Sequence, residues 1–194
     1  MGVCARTVGA VFIAASIIAG QGIFAQSTAE QTVRINSTSP AGFEGLLDGP
    51  ANDPKLTIKG WLNVPDGARG APAMLIVHGS SGVTDRGRNY ARFFNKMGIA
   101  TLRIDSYGPR GISKTVGNQS AVTTMMMVAD AFASLAFLAA DPRIDAKRIG
   151  IIGFSKGGGV AFFTAFEPLR RSARIGNLRF ALHLPFQLHR RSLA

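Results

Sequence analysis

Cysteine is nearly absent: in 194 residues the only one is Cys4. A lone thiol makes neither an internal disulfide nor a zinc cluster, and this one falls in a segment read below as a removable leader, so thiol chemistry is excluded from the mature protein. Histidine is scarce too. His78, His183 and His189 are the whole set, and with the acids they form no metal-ligand spacing. Gly157-Gly158-Gly159 lacks a dinucleotide fingerprint, so neither metal nor organic cofactor is expected.

Acidic residues are the next shortage. Eleven Asp and Glu face 22 Lys and Arg, for a formal charge of +11. The excess is uneven: the last 25 residues hold six arginines (Arg170, Arg171, Arg174, Arg179, Arg190, Arg191) and no acid. Such a tail lacks interleaved Tyr or Trp, Gly-Arg repeats and any zinc-finger pattern, so no nucleic-acid partner is expected. A contact of the tail with a membrane or nucleic acid would show as salt-sensitive binding lost on deleting residues 187–194. With 46% hydrophobic residues, the rest describes one folded domain.

Arg6 is the only charge in the first 29 residues, and an apolar run from Val8 to Gly20 leads to Ile23-Phe24-Ala25. A basic start, a short apolar stretch and a small residue at the cut predict a secretory signal over residues 1–25, and so a periplasmic or secreted protein. The run is short of the roughly 20 apolar residues of a membrane span. An uncleaved leader anchoring the chain to a membrane is the alternative; after cleavage no membrane partner is expected. Residues 26–54 are polar, with one short strand near Thr32–Ile35.

Residues 55–186 are regular. Leu56–Val64 alternates like a half-buried strand, Ala73–Val77 is a continuous apolar run of the kind buried on both faces, and Ile99–Ile104 and Arg148–Gly153 read as two further buried strands. Helices are predicted over Tyr90–Met97, Ala121–Ala140 and Gly157–Phe166, and a further strand over Phe180–Leu184. Strands alternating with helices imply the α/β class: a mostly parallel sheet covered on both faces, with reactive groups at the C-terminal strand ends.

Three clusters lie at those ends. In Gly153-Phe154-Ser155-Lys156-Gly157, between an apolar strand and an apolar helix, a sharp turn would thrust the Ser155 hydroxyl out at the sheet rim, and the flanking glycines would let neighbouring chain pass. Ser155 is therefore the candidate nucleophile. In His78-Gly79-Ser80-Ser81-Gly82 the amide of Ser80 is the candidate second donor of an oxyanion hole, the first being the amide of Lys156. His78 is expected to hold this loop by hydrogen bonds rather than to act as a base. The third cluster is Asp105-Ser106-Tyr107-Gly108-Pro109-Arg110-Gly111. Arg110, with Tyr107 beside it, is a candidate for binding an acidic substrate; pairing of Arg110 with Asp105 is the equal alternative.

Together with Asp141-Pro142-Arg143-Ile144-Asp145, these motifs resemble the dienelactone hydrolase family of α/β-hydrolases, in order and in spacing, from about Leu56 to Phe166. The resemblance implies hydrolysis of a small-molecule ester or lactone through an acyl-enzyme. The enzymes that name the family carry Cys at the elbow where this chain has Ser155, which points to a general esterase rather than a dienelactone substrate.

A serine nucleophile needs a base and a carboxylate that orients it, in the chain order Ser, acid, His for this fold. Only 39 residues follow Ser155, with Glu167, His183 and His189 as candidates. Glu167 lies about three helical turns on, roughly 18 Å along a helix axis. His183 reads as a sheet residue, and His189 sits in the aperiodic basic stretch 187–194. In the resembled family the acid and the histidine come from the ends of two further strands. The expectation is therefore a partial α/β-hydrolase domain lacking its last strands, truncated near Phe186, which as a non-catalytic remnant or binding module is the alternative to an active enzyme.

Overall fold

A computed structural model describes residues 29–51 and 53–186. The leader, the basic stretch 187–194 and His189 lie outside the described residues.

Six strands form one sheet in the order β1-β2-β4-β3-β5-β6. The strands are β1 (Gln31–Thr38), β2 (Lys55–Asn63), β3 (Ala71–Val77), β4 (Ala100–Asp105), β5 (Ile144–Phe154) and β6 (Leu182–Phe186). Strands β1 and β2 run antiparallel to their neighbours, whereas β4, β3, β5 and β6 are parallel to one another. The parallel strands follow from the apolar runs: β3 (APAMLIV) is buried along nearly its whole length, as a strand covered on both faces must be. Edge strand β1 is half exposed and turns Ile35 and Ser37 inward.

Helices α1 (Phe43–Asp48), α3 (Thr124–Ala139), α4 (Lys156–Phe163) and α5 (Glu167–Ser172) cover one face, and α2 (Asp85–Lys96) covers the other. The larger core lies under α3, where Met127, Phe132, Leu135 and Leu138 pack on Leu75, Leu102 and Ile151. Burying each such side chain stabilises the fold by about 1.5–3 kcal/mol. Among the described residues no helix is long and apolar enough to cross a membrane.

The structure corrects three helical expectations. Helix α2 starts at Asp85 rather than Tyr90, with Thr84 as N-cap residue and an acid in the first turn; its sparse apolar positions hid the first turn from a periodicity argument. Helix α4 stops at Phe163, where the Thr164 hydroxyl turns back to donate to the Ala161 carbonyl. Its chain then begins α5, started by Glu167-Pro168, in a stretch whose charge had concealed a helix.

Candidate active site

Strands β4, β3 and β5 are adjacent and parallel, so the segments that follow them meet at one rim of the sheet. The turn after β5 is as sharp as the glycine spacing predicts. Ser155 has φ 53° and ψ −113°, the left-handed side of backbone space that side chains avoid, and α4 begins at the next residue. Its N–H donates to the Phe186 carbonyl of β6 at 2.7 Å, which ties the turn to the outermost strand. Gly157 has no room for a side chain: a Cβ there would lie 2.5 Å from both the Val77 and the His78 carbonyl oxygens. Backbone of β3 and its loop therefore presses directly against the start of α4.

Ser155 opens onto a cleft of about 770 Å³ whose walls include His78, Ser80, Gly82, Val116 and Phe154. Two of the three residues proposed for nucleophile and oxyanion chemistry, Ser155 and Ser80, thus share one cavity. Lys156 contributes the first amide of α4, which by helix geometry has no intrahelical acceptor. Among the described residues no hydrogen bond engages the Ser80 N–H. The Lys156 ammonium points elsewhere, donating to the carbonyls of Gln119 (2.7 Å) and Val122, and this partly buried position lowers its pKa by desolvation. The Ser80 hydroxyl donates to the side-chain oxygen of the same Gln119 at 3.1 Å.

Both ring nitrogens of His78 serve backbone. Nδ1 donates to the Gly79 carbonyl at 2.9 Å and Nε2 accepts the Ser106 N–H at 3.2 Å, which fixes a neutral ring with its proton on Nδ1. Burial pushes its pKa below 6.5. His78 therefore joins the loops after β3 and β4.

The third cluster faces inward. Tyr107 is 1% exposed, its hydroxyl 2.9 Å from Thr115 Oγ1 and its ring edge-on to His78 at 4.3 Å, so it is a core residue and not a wall of the cleft. Arg110 neither lines the Ser155 cleft nor pairs with Asp105. Its guanidinium makes two bonds to the buried Asp130 carboxylate (2.8 and 3.1 Å) and others to the Thr38 and Ser106 carbonyls and the Ser39 hydroxyl. Asp105 instead accepts the N–H groups of Tyr107 and Gly108, both at 2.9 Å. The signal for Arg110's true partner was in the sequence: Asp130 is the only charge in the apolar stretch 121–140, and a buried charge needs a partner.

The cleft also contains residues that motif reasoning passed over. Arg86 and Arg103 line it, and no acid does. Arg103 is buried on β4, paired with Glu30 at 2.7 Å and stacked over Trp61 at 4.8 Å, while its Nε has no partner among the described residues.

Among the described residues, neither Glu167 nor His183, the acid and the histidine that follow Ser155, reaches it. Glu167 binds Arg170 and Arg171, which hold its pKa at about 2. His183 lies in β6 opposite Ile151, four residues before Ser155 and so roughly 13 Å along the strand. Its Nδ1 is engaged by the Ala161 carbonyl and Thr164 hydroxyl. No metal-binding group of acids and histidines occurs among the described residues.

The model of the dienelactone hydrolase family matches residues 58–175, more than half of the chain. The chain belongs to the dienelactone hydrolase family. An uncharacterized 31.7 kDa protein from the traX-finO intergenic region of Escherichia coli is 29% identical over 125 residues, 62% of this chain and 41% of that protein. The chain thus spans about two-fifths of the curated relatives it matches. Among solved structures, the α/β hydrolase GrgF from Penicillium sp. sh18 is similar at 22% identity and a TM-score of 0.50, over 72% of this chain and 43% of that one. A putative dienelactone hydrolase from Klebsiella pneumoniae is similar at 17% identity and a TM-score of 0.49, over 72% and 57%. The mostly parallel sheet with helices on both faces is an α/β-hydrolase-like fold.

Proposed function

We propose that the protein is an exported serine hydrolase of carboxylic esters or lactones, with Ser155 as nucleophile. The observation that carries this reading is the left-handed Ser155 at the floor of a cleft it shares with the Gly79–Gly82 loop. Strain of this kind, on a residue with a hydroxyl, at a strand-to-helix turn, is what an exposed nucleophile requires. Ser155 Oγ attacks the carbonyl carbon, and the amides of Lys156 and Ser80 hold the oxyanion. Collapse expels the alcohol and leaves an ester on Ser155, which water then cleaves to the acid. The hydroxyl proton must pass to a base and on to the leaving alcohol. No such base stands beside Ser155 among the described residues, and His189 is outside them. Arg86, a cation in the cleft wall with no ion pair among the described residues, favours an ester that carries a negative group.

The test is labelling by a fluorophosphonate probe together with turnover of a short-chain p-nitrophenyl ester. Both are expected, and both are expected to vanish in Ser155→Ala. Folded protein that neither labels nor turns over supports the second reading, a fold kept without catalysis, which the engaged nitrogens of His78 and the distance of His183 favour. Export is checked by N-terminal sequencing of protein recovered outside the cytoplasm: a new terminus at residue 26 supports it, and an intact leader in the membrane fraction supports the anchored form.

A further inference from the structure

A second cavity, also of about 770 Å³, lies across the sheet's other half, between β1–β2 and the helices α1, α3 and α5. It shares no lining residue with the Ser155 cleft. Its walls are mostly apolar, with Leu46, Leu56, Ala129, Phe132, Ala133 and Ile175 among them. Two cations, Lys55 and Arg174, also line it, and among the described residues no acid does. A cavity of several hundred Å³ with apolar walls and a few polar groups is the usual form of a small-molecule site.

Arg174 is the second observation. Among the described residues only two that are not glycine have positive φ, Ser155 at 53° and Arg174 at 54°. The first stands in one cavity and the second in the other. Arg174 follows the C-terminus of α5, a position that glycine fills without strain. A charged side chain is held there against its backbone preference. No ion pair forms with Arg174 or Lys55 among the described residues, so neither charge is spent on the protein.

We propose that this cavity binds an amphipathic carboxylate, a free alkyl carboxylic acid, with its chain against Phe132, Ala133 and Leu56 and its head on Arg174 and Lys55. The apolar walls provide for the chain and the two unopposed cations for the head, since a guanidinium takes a carboxylate through two parallel hydrogen bonds. The site does not depend on Ser155 and stands whether or not that residue is catalytic.

The experiment is calorimetric titration of the full chain carrying Ser155→Ala with sodium decanoate below its micellar concentration, so that hydrolysis plays no part. Saturable binding near one equivalent is expected. Arg174→Gly relieves the left-handed strain and removes the cation, so it should leave the thermal midpoint unchanged or raised while weakening decanoate about tenfold. Decanol, without the charge, should bind the parent more weakly and be indifferent to Arg174→Gly. Ala133→Trp should fill the cavity and abolish binding; if that variant does not fold, Arg174→Gly and the decanol comparison decide. Absence of saturable binding, or binding that Arg174→Gly leaves unchanged, overturns the proposal. Loss of labelling at Ser155 in the parent protein would overturn only the catalytic reading.

Discussion

The segments after β4 and β5 flank β3 at the same rim and carry comparable inventories, Asp-Ser-Tyr with an arginine in one and Phe-Ser-Lys with glycines in the other. Their fates are opposite. After β4 the charged groups and the phenol are spent within the protein, Arg110 on Asp130, Asp105 on two amides and Tyr107 on Thr115, and the Ser106 hydroxyl is buried out of reach of the cleft. After β5 the chain takes a strained turn, its serine opens onto a cleft, and the first amide of α4 has no helical acceptor. A charged or hydroxylated residue at a strand end becomes available for chemistry only when the interior does not claim it.

Breaking the β4 side should have the largest effect. Arg110→Met leaves Asp130 buried without its cation and should destabilise the protein by about 3–5 kcal/mol in urea unfolding. Adding Asp130→Leu to it should recover most of that loss, because a well-packed apolar pair replaces a buried ion pair at little cost. If the single change cost nothing, the β4 segment would not be the structural half of the comparison. The β5 side should respond the other way. Ser155→Gly should be more stable than Ser155→Ala by roughly 1 kcal/mol, since only glycine takes the observed backbone angles without strain; equal stabilities would remove the strain from the argument.

The smallest effect concerns the histidine that links the loops after β3 and β4. Burial lowers the pKa of His78 below 6.5, against the weaker opposing influence of the Gly79 carbonyl, Asp105 and Asp130. As pH falls below about 6.5 the unfolded chain takes up a proton that the folded one resists, so stability declines there and is unaffected above. Protonation also costs Nε2 its role as acceptor of the Ser106 N–H. Denaturant midpoints measured between pH 7 and pH 5 should fall for the native sequence and fall less for His78→Gln.

The strands were legible because the buried parallel strands are rich in apolar residues, β3 as a continuous run, and β2 and β5 differ from expectation only at their ends. The elbow was legible because its glycines are demanded by backbone contacts that no other residue permits, as at Gly157. What escaped were helices whose sequences are short or charged, α1 and α5, where tertiary packing of Leu46 and Leu169 outweighs weak periodicity. Partner choice escaped as well. Arg110 lies close to Asp105 in sequence, but the fold brings it to Asp130 on a helix twenty residues away. Arg103 reads in sequence as one charge in a strand, and only the tertiary fold shows it in the wall of the Ser155 cleft.

The bond from the Ser155 amide to the Phe186 carbonyl makes the posture of Ser155 a property of the sheet's margin. Among the described residues strand β6 is bordered by β5 alone, and its Leu182 and Phe186 are 47% and 44% exposed. Peeling that outer ribbon away would slacken the hydroxyl's mooring while the interior stayed packed, so the protein's reactivity should fade before its melting is seen.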